Sequence, residues 1–91
     1  MGKRENTVET YLDEEIKKLG GRTYKWTGQR GVPDRLIILN SKTYFREIKT
    51  LDGVVSPEQK REIARMRTHE VDVDVLFGKT GVDEFIKNVK S

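Results

Sequence analysis

The chain has 91 residues, 18 Lys and Arg against 15 Asp and Glu for a formal charge of +3, no cysteine and 34% hydrophobic residues. This describes one small domain over residues 1–91 that buries only roughly 60–65% of its unfolded surface, so self-association would help to stabilise it. Without cysteine there is no disulfide scaffold, zinc ribbon or thiol chemistry. A lone His69 cannot build a zinc site or a Ser-His-Asp arrangement, which leaves hard-cation chemistry on oxygen ligands. The longest apolar run, Leu36-Ile37-Ile38-Leu39, is too short to span a bilayer, and Met1-Gly2-Lys3-Arg4 opens on no apolar leader. The expectation is a cytoplasmic protein without membrane contacts. A pI near 9.3 favours polyanionic partners only mildly, because 36% of residues are charged and both signs are mixed.

In chain order, Val8, Leu12, Ile16 and Leu19 recur at helical spacing, with Asn6 or Thr7 as N-cap and Gly20-Gly21 as the stop, and predict a helix over 7–19. Arg22 to Thr27 alternates with period two, a first strand that puts Tyr24 and Trp26 on one face, where core packing is the expected use. The Gly28 to Pro33 turn leads into Asp34 to Leu39, whose continuous apolar run predicts an interior strand covered on both faces. Asn40-Ser41-Lys42 turns the chain into a third strand, 43–50, paired with the second as a hairpin. Ser56-Pro57-Glu58-Gln59 announces a helix over 57–69. Val71, Val73, Val75 and Phe77 alternate in a fourth strand, and Gly81-Val82-Asp83-Glu84 opens a closing helix. The order αβββαβα is an α/β domain with a small mixed sheet flanked by helices.

Glu-x-Lys occurs twice, as Glu15-Ile16-Lys17 and Glu47-Ile48-Lys49. On a helix, positions i and i+2 diverge by about 200°, whereas on a strand they share a face about 6.5–7 Å apart. Only Glu47 and Lys49 can therefore converge on one site, the plain alternative being a surface ion pair. Asp34 opens the neighbouring strand, so two carboxylates could meet at one sheet edge, which suits a hard divalent cation with water and phosphate. Lys49 could then orient or deprotonate an attacking water and offset developing charge. The structural alternative for Asp34 is a turn cap after proline.

Gly31-Val32-Pro33-Asp34, followed thirteen positions on by Glu47-x-Lys49, resembles the PD-(D/E)xK nuclease signature. The Gly-x-Pro-Asp form, the element order and Gln59 on the following helix are similar to the VRR-NUC domain, over nearly the whole chain. The resemblance implies a restriction-endonuclease-like αβββαβ core and Mg²⁺-dependent phosphodiester hydrolysis, with Mn²⁺ able to substitute. For stand-alone members it implies cleavage of branched DNA such as four-way (Holliday) junctions by a homodimer. Asp34 and Glu47 would be metal ligands with the Ile48 carbonyl, and Lys49 would sit at the water.

Two further residues enter by that resemblance. Glu9 would add a ligand from the first helix, against a capping box with Asn6; its own helix offers it no cation. Gln59 would hold the lysine or a phosphate, against a capping box with Ser56. DNA-backbone contacts are expected from Lys25, Gln29 and Arg30 beside the Asp34 turn and from Arg61 and Arg65, like charges at i, i+4 that a phosphate would relieve. For Arg61 and Arg65, a solvated helix face explains the pattern equally well. His69 is expected to be an exposed helix-end residue. The readings that compete with a junction nuclease are a non-catalytic DNA-binding or assembly module and a nuclease acting on unbranched DNA or directed by a protein partner.

Overall fold

Helix α1 spans Gly2–Lys18 in the computed structural model, which describes residues 2–90, with side chains from Thr7 onward. The expected start at residue 7 is corrected: Lys3, Arg4 and Glu5 are compatible with helix, so α1 begins a turn and a half earlier and Thr7 is not its cap. The capping side chain assigned to Asn6 lies outside the described residues. The stop is as expected. Gly20 has φ +84°, and the N–H groups of Gly20 and Gly21 donate to the Lys17 and Ile16 carbonyls at 3.0 Å each, the Schellman pattern.

Strands β1 (Arg22–Lys25), β2 (Arg35–Leu39), β3 (Lys42–Lys49) and β4 (Val73–Phe77) form one sheet in the order β1-β2-β3-β4. The first two pairings are antiparallel and β3–β4 is parallel. Asn40 (φ 54°) and Ser41 (φ 65°) make the two-residue hairpin between β2 and β3, a turn that requires positive φ at both positions. Helix α2 (Pro57–Thr68) carries the crossover from β3 to β4, and α3 (Gly78–Lys90) follows β4 directly. The closing helix thus starts three residues earlier than expected, because Gly78 at φ +66° turns the chain against Leu51, whose Cγ would lie 2.6 Å from a Cβ there.

One face of the sheet carries the core. Ile37, Leu39, Tyr44, Ile48 and Leu76 pack against Val8, Leu12 and Ile16 of α1 and Val82, Phe85 and Ile86 of α3. The opposite face receives α2, which lies over the two strands it connects, as a parallel crossover must. Two expectations fail for this reason. The β2 strand has strand neighbours on both sides but helices on one face only, leaving Ile38 40% exposed, and Tyr24 and Trp26 are 47% and 37% exposed instead of packed in the core.

The Tyr11 hydroxyl donates to Asp83 Oδ1 and joins α1 to α3, with Lys79 Nζ 5.3 Å from the ring centroid. The bond to Asp83, followed by desolvation, pushes the Tyr11 phenol up to about 12. A folded value above the unfolded one, about 10, means the contribution is whole below pH 10 and is lost as pH rises toward 12. Absorbance titration at the phenolate band is expected to show one of three tyrosines ionising late, and Tyr11→Phe to remove that late step.

Candidate active site

Strand pairing brings the acidic residues together. The β2–β3 register ends at Arg35 opposite Arg46, and one step further it sets Asp34 opposite Glu47. On the other side of β2, the Asp34 carbonyl accepts from the Trp26 N–H at 2.9 Å, so Trp26, Asp34 and Glu47 form one row across three strands. Asp34 is also held by its side chain, whose Oδ1 accepts from the Ile48 N–H at 3.2 Å. Continuing the register, Pro33 stands opposite Ile48. Proline has no N–H to give, so the ladder stops at Pro33, and the Ile48 N–H bonds the Asp34 carboxylate in place of a backbone carbonyl.

Glu47 and Lys49 point to the α2 face, with side chains 8% and 14% exposed. Glu47 Oε2 accepts from Gln59 Nε2 at 3.0 Å and lies 3.5 Å from Lys49 Nζ. Gln59 serves two purposes. Its Oε1 accepts from the Ser56 N–H at 2.9 Å and its own N–H donates to Ser56 Oγ at 3.1 Å, a complete capping box, while the amide nitrogen reaches the carboxylate. The two readings of Gln59 are therefore one arrangement: capping fixes the side chain that holds Glu47.

The turn before Asp34 locks this helix end in place. Gly31, at φ +83°, lies against α2 so closely that a Cβ would come 2.8 Å from the Glu58 carbonyl oxygen. Arg30 pairs with Glu58 at 3.2 Å across the same junction.

Gln59→Ala removes the reciprocal half of the cap and leaves a buried carboxylate short of one donor. Urea unfolding is expected to show a loss of about 1–3 kcal/mol. Gln59→Glu keeps the capping spacing but sets a carboxylate against Glu47. If it is the milder change, the Glu47 contact is not what Gln59 supplies.

Glu9 is placed differently from the argument that assigned it to a metal. Its own helix offers no cation, but Arg35 of β2 does: Nη2 lies 2.9 Å from Glu9 Oε1 and 3.3 Å from Asp13 Oδ2, on the α1 face of the sheet. Both ends of the Arg35–Glu9 pair are nearly buried, at 12% and 9% exposure of the side chains. No group of three or more His, Cys, Asp or Glu side chains able to hold a metal occurs among the described residues. The carboxylates brought together are Asp34 and Glu47. Arg35 was the overlooked residue, and its signal was a lone cation opening an apolar strand, with Glu9 and Asp13 one helical turn apart to receive it.

Lys25, Gln29 and Arg30 are exposed on or just before the Asp34 turn. Arg61 and Arg65 are exposed on α2, where Arg65 pairs with Glu62 at 3.0 Å. His69 is exposed and caps α2 through its backbone, its N–H reaching the Met66 carbonyl at 3.0 Å.

A four-stranded mixed sheet in αβββαβα order, with two acids meeting at the end of the central strands and a lysine beside them, is a restriction-endonuclease-like core. No protein-family model matches the chain. A solved structure titled "VRR_NUC domain" is 33% identical, with 92% of this chain and 95% of that chain covered and a TM-score of 0.85. "Putative nuclease p44" of Acyrthosiphon pisum secondary endosymbiont phage 1 is 46% identical over 66 residues, 69% of this chain and 71% of that protein. The chain belongs to the VRR-NUC family. The fold alone extends to an Archaeoglobus fulgidus protein described as Hjc, a Holliday junction resolvase, at 16% identity and a TM-score of 0.61, over 80% of this chain and 67% of that one.

Proposed function

We propose that this VRR-NUC domain is a Mg²⁺-dependent, structure-selective DNA endonuclease that hydrolyses phosphodiester bonds in branched DNA, four-way junctions above all, as a homodimer. The observation that carries the reading is the meeting of Asp34, Glu47 and Lys49 at one sheet end, with Gln59 holding Glu47. The donor set fits Mg²⁺, which takes one or two carboxylates and completes its shell with water and substrate phosphate. Asp34, Glu47 and the Ile48 carbonyl would hold it, and Mn²⁺ would substitute. When bound, the ion supplies charge to the phosphate oxygens and lowers the pKa of water.

Lys49 is proposed to orient the attacking water and to offset charge on the phosphate. Gln59 keeps Glu47 turned to the same point. Glu9, committed to Arg35, is proposed to support the site through β2 and to reach the ion only if Arg35 releases it. Lys25, Gln29, Arg30, Arg61 and Arg65 are the proposed phosphate contacts. Junction preference draws its support from the archaeal resolvase neighbour, and a two-fold dimer would present two sites to opposed strands of a symmetric junction.

The test is cleavage of a labelled four-way junction and its matched linear duplex, with Mg²⁺ or EDTA, by the wild type and Asp34→Asn. Products that need Mg²⁺, favour the junction and vanish in the variant are expected. In parallel, Mg²⁺ at about a hundred times its Kd should stabilise the wild type by about 2.7 kcal/mol and leave Asp34→Asn unmoved. Tight junction binding without cleavage would move the function to a binding module, and equal cutting of both DNAs would remove junction selectivity. A monomer by light scattering, free and on DNA, would remove the dimer.

A further inference from the structure

Because α2 lies over β3 and β4, the same face of β1 and β2 is open. Tyr24, Trp26 and Ile38 stand on it at 47%, 37% and 40% exposure. Strand pairing fixes their order. Tyr24, Leu36 and Phe45 make one row, and Trp26, Asp34 and Glu47 make the next. The Trp26 ring leans on Phe45, with centroids 5.1 Å apart at 52°, so it is held from one side while part of it meets solvent. Two strand spacings, about 10 Å, separate its position from that of Glu47. A base on Trp26 and a phosphate at Asp34 and Glu47 could then belong to neighbouring nucleotides. Arg22, exposed and two residues before Tyr24 on the same strand face, adds positive charge beside the aromatics.

We propose that Trp26 is a stacking platform for an unpaired or unstacked nucleobase beside the scissile phosphate, and that it thereby selects DNA whose base stack is interrupted. The proposal rests on the nuclease reading above and gives its selectivity a physical source. Base–aromatic stacking tolerates any sequence, because every base has a π-face. An intact duplex has its bases stacked and must break that stack to use the platform, whereas a junction, flap or single strand offers a base at lower cost. A second copy of the chain is the competing occupant. It needs about 800 Å² per partner, and the exposed parts of these three side chains supply on the order of 250 Å². The charge of Arg22 on this face and the shared row with the two carboxylates favour the nucleic acid.

Trp26 is the sole tryptophan, so its emission reports the contact directly. Wild-type protein in EDTA is titrated with a short single strand, a four-way junction and the matched duplex. Tryptophan emission and the anisotropy of end-labelled DNA are read together. Saturable quenching by the single strand and the junction is expected, with no quenching by duplex at concentrations where anisotropy shows it bound. Trp26→Ala should weaken single-strand binding by about 5- to 150-fold and change duplex binding by less than about twofold. Trp26→Phe, which keeps a ring against Phe45, should retain most of the affinity and guards against a folding defect. Equal quenching by duplex, or none where anisotropy reports binding, overturns the proposal. Emission that shifts with protein concentration in the absence of DNA also overturns it and gives the face to a second copy. The experiment involves no cleavage, so quenching by a protein that cuts nothing would sink the nuclease reading and leave the stacking contact standing.

Discussion

Lys49→Met is expected to lower cleavage by about 10²–10⁴-fold, the range for losing a proton-transferring or charge-stabilising group, while DNA binding falls only slightly. The separation follows from where the ammonium sits. Lys49 is 14% exposed by side chain and lies 3.5 Å from Glu47 Oε2, whereas the cations proposed to meet the backbone are exposed. Lys49→Arg is the sharper variant, because it keeps the charge while changing the shape and the acidity of the donor. If charge alone were needed, Lys49→Arg would cut well. If the lysine acts on the water, Lys49→Arg should be nearly as slow as Lys49→Met, with junction Kd unchanged in both. A binding module with a nuclease fold predicts no cleavage to lose, and a Kd that responds to both variants through charge.

The stability of these variants needs the same care. Glu47 is buried, accepting from Gln59 and ion-paired with Lys49. Removing the lysine leaves the amide in place, so the carboxylate is not stripped of all support. The cost in folding should be smaller than the few kcal/mol expected when a buried pair loses its only counterion. Urea midpoints for Lys49→Met and Gln59→Ala, with the double variant, would show how far Glu47 depends on each.

What could be read in the sequence was what depends on short spacing. Ser56-Pro57-Glu58-Gln59 predicts the start of α2 because a capping box is closed within four residues, and Gly20-Gly21 predicts the end of α1 for the same reason. Glu47 and Lys49 share a face because period two is a property of a strand wherever it lies in the sheet. The failures depend on placement in space. Whether Tyr24, Trp26 and Ile38 are covered is decided by which strands α2 crosses, and nothing in β1 or β2 encodes that. The beginning of α1 was misplaced because a favourable cap residue inside a helix-compatible stretch does not oblige a helix to begin there. The partner of Glu9 was missed because Arg35 is 26 residues away and meets it only through packing of α1 on β2.

That last pair gives the largest stability effect expected outside the sheet end. Arg35→Leu leaves Glu9 buried without its counterion and should destabilise the fold by about 3–5 kcal/mol, a large fraction of the 5–15 kcal/mol typical of a domain. At about 4–8 °C per kcal/mol for a chain of this size, Tm should fall by at least about 12 °C. The pair itself is not a strong net stabiliser, since Arg35 Nε is buried without a hydrogen-bond partner and Asp13 shares the guanidinium only from a half-exposed position. Replacing both ends, Arg35→Met with Glu9→Gln, should therefore recover most of the loss. The double variant also decides what Glu9 is for. If it serves Arg35, the double variant regains its Tm and still gains stability on adding Mg²⁺. If it serves the metal, Tm returns but the Mg²⁺ response does not, and the ion then binds more carboxylates than Asp34 and Glu47 alone.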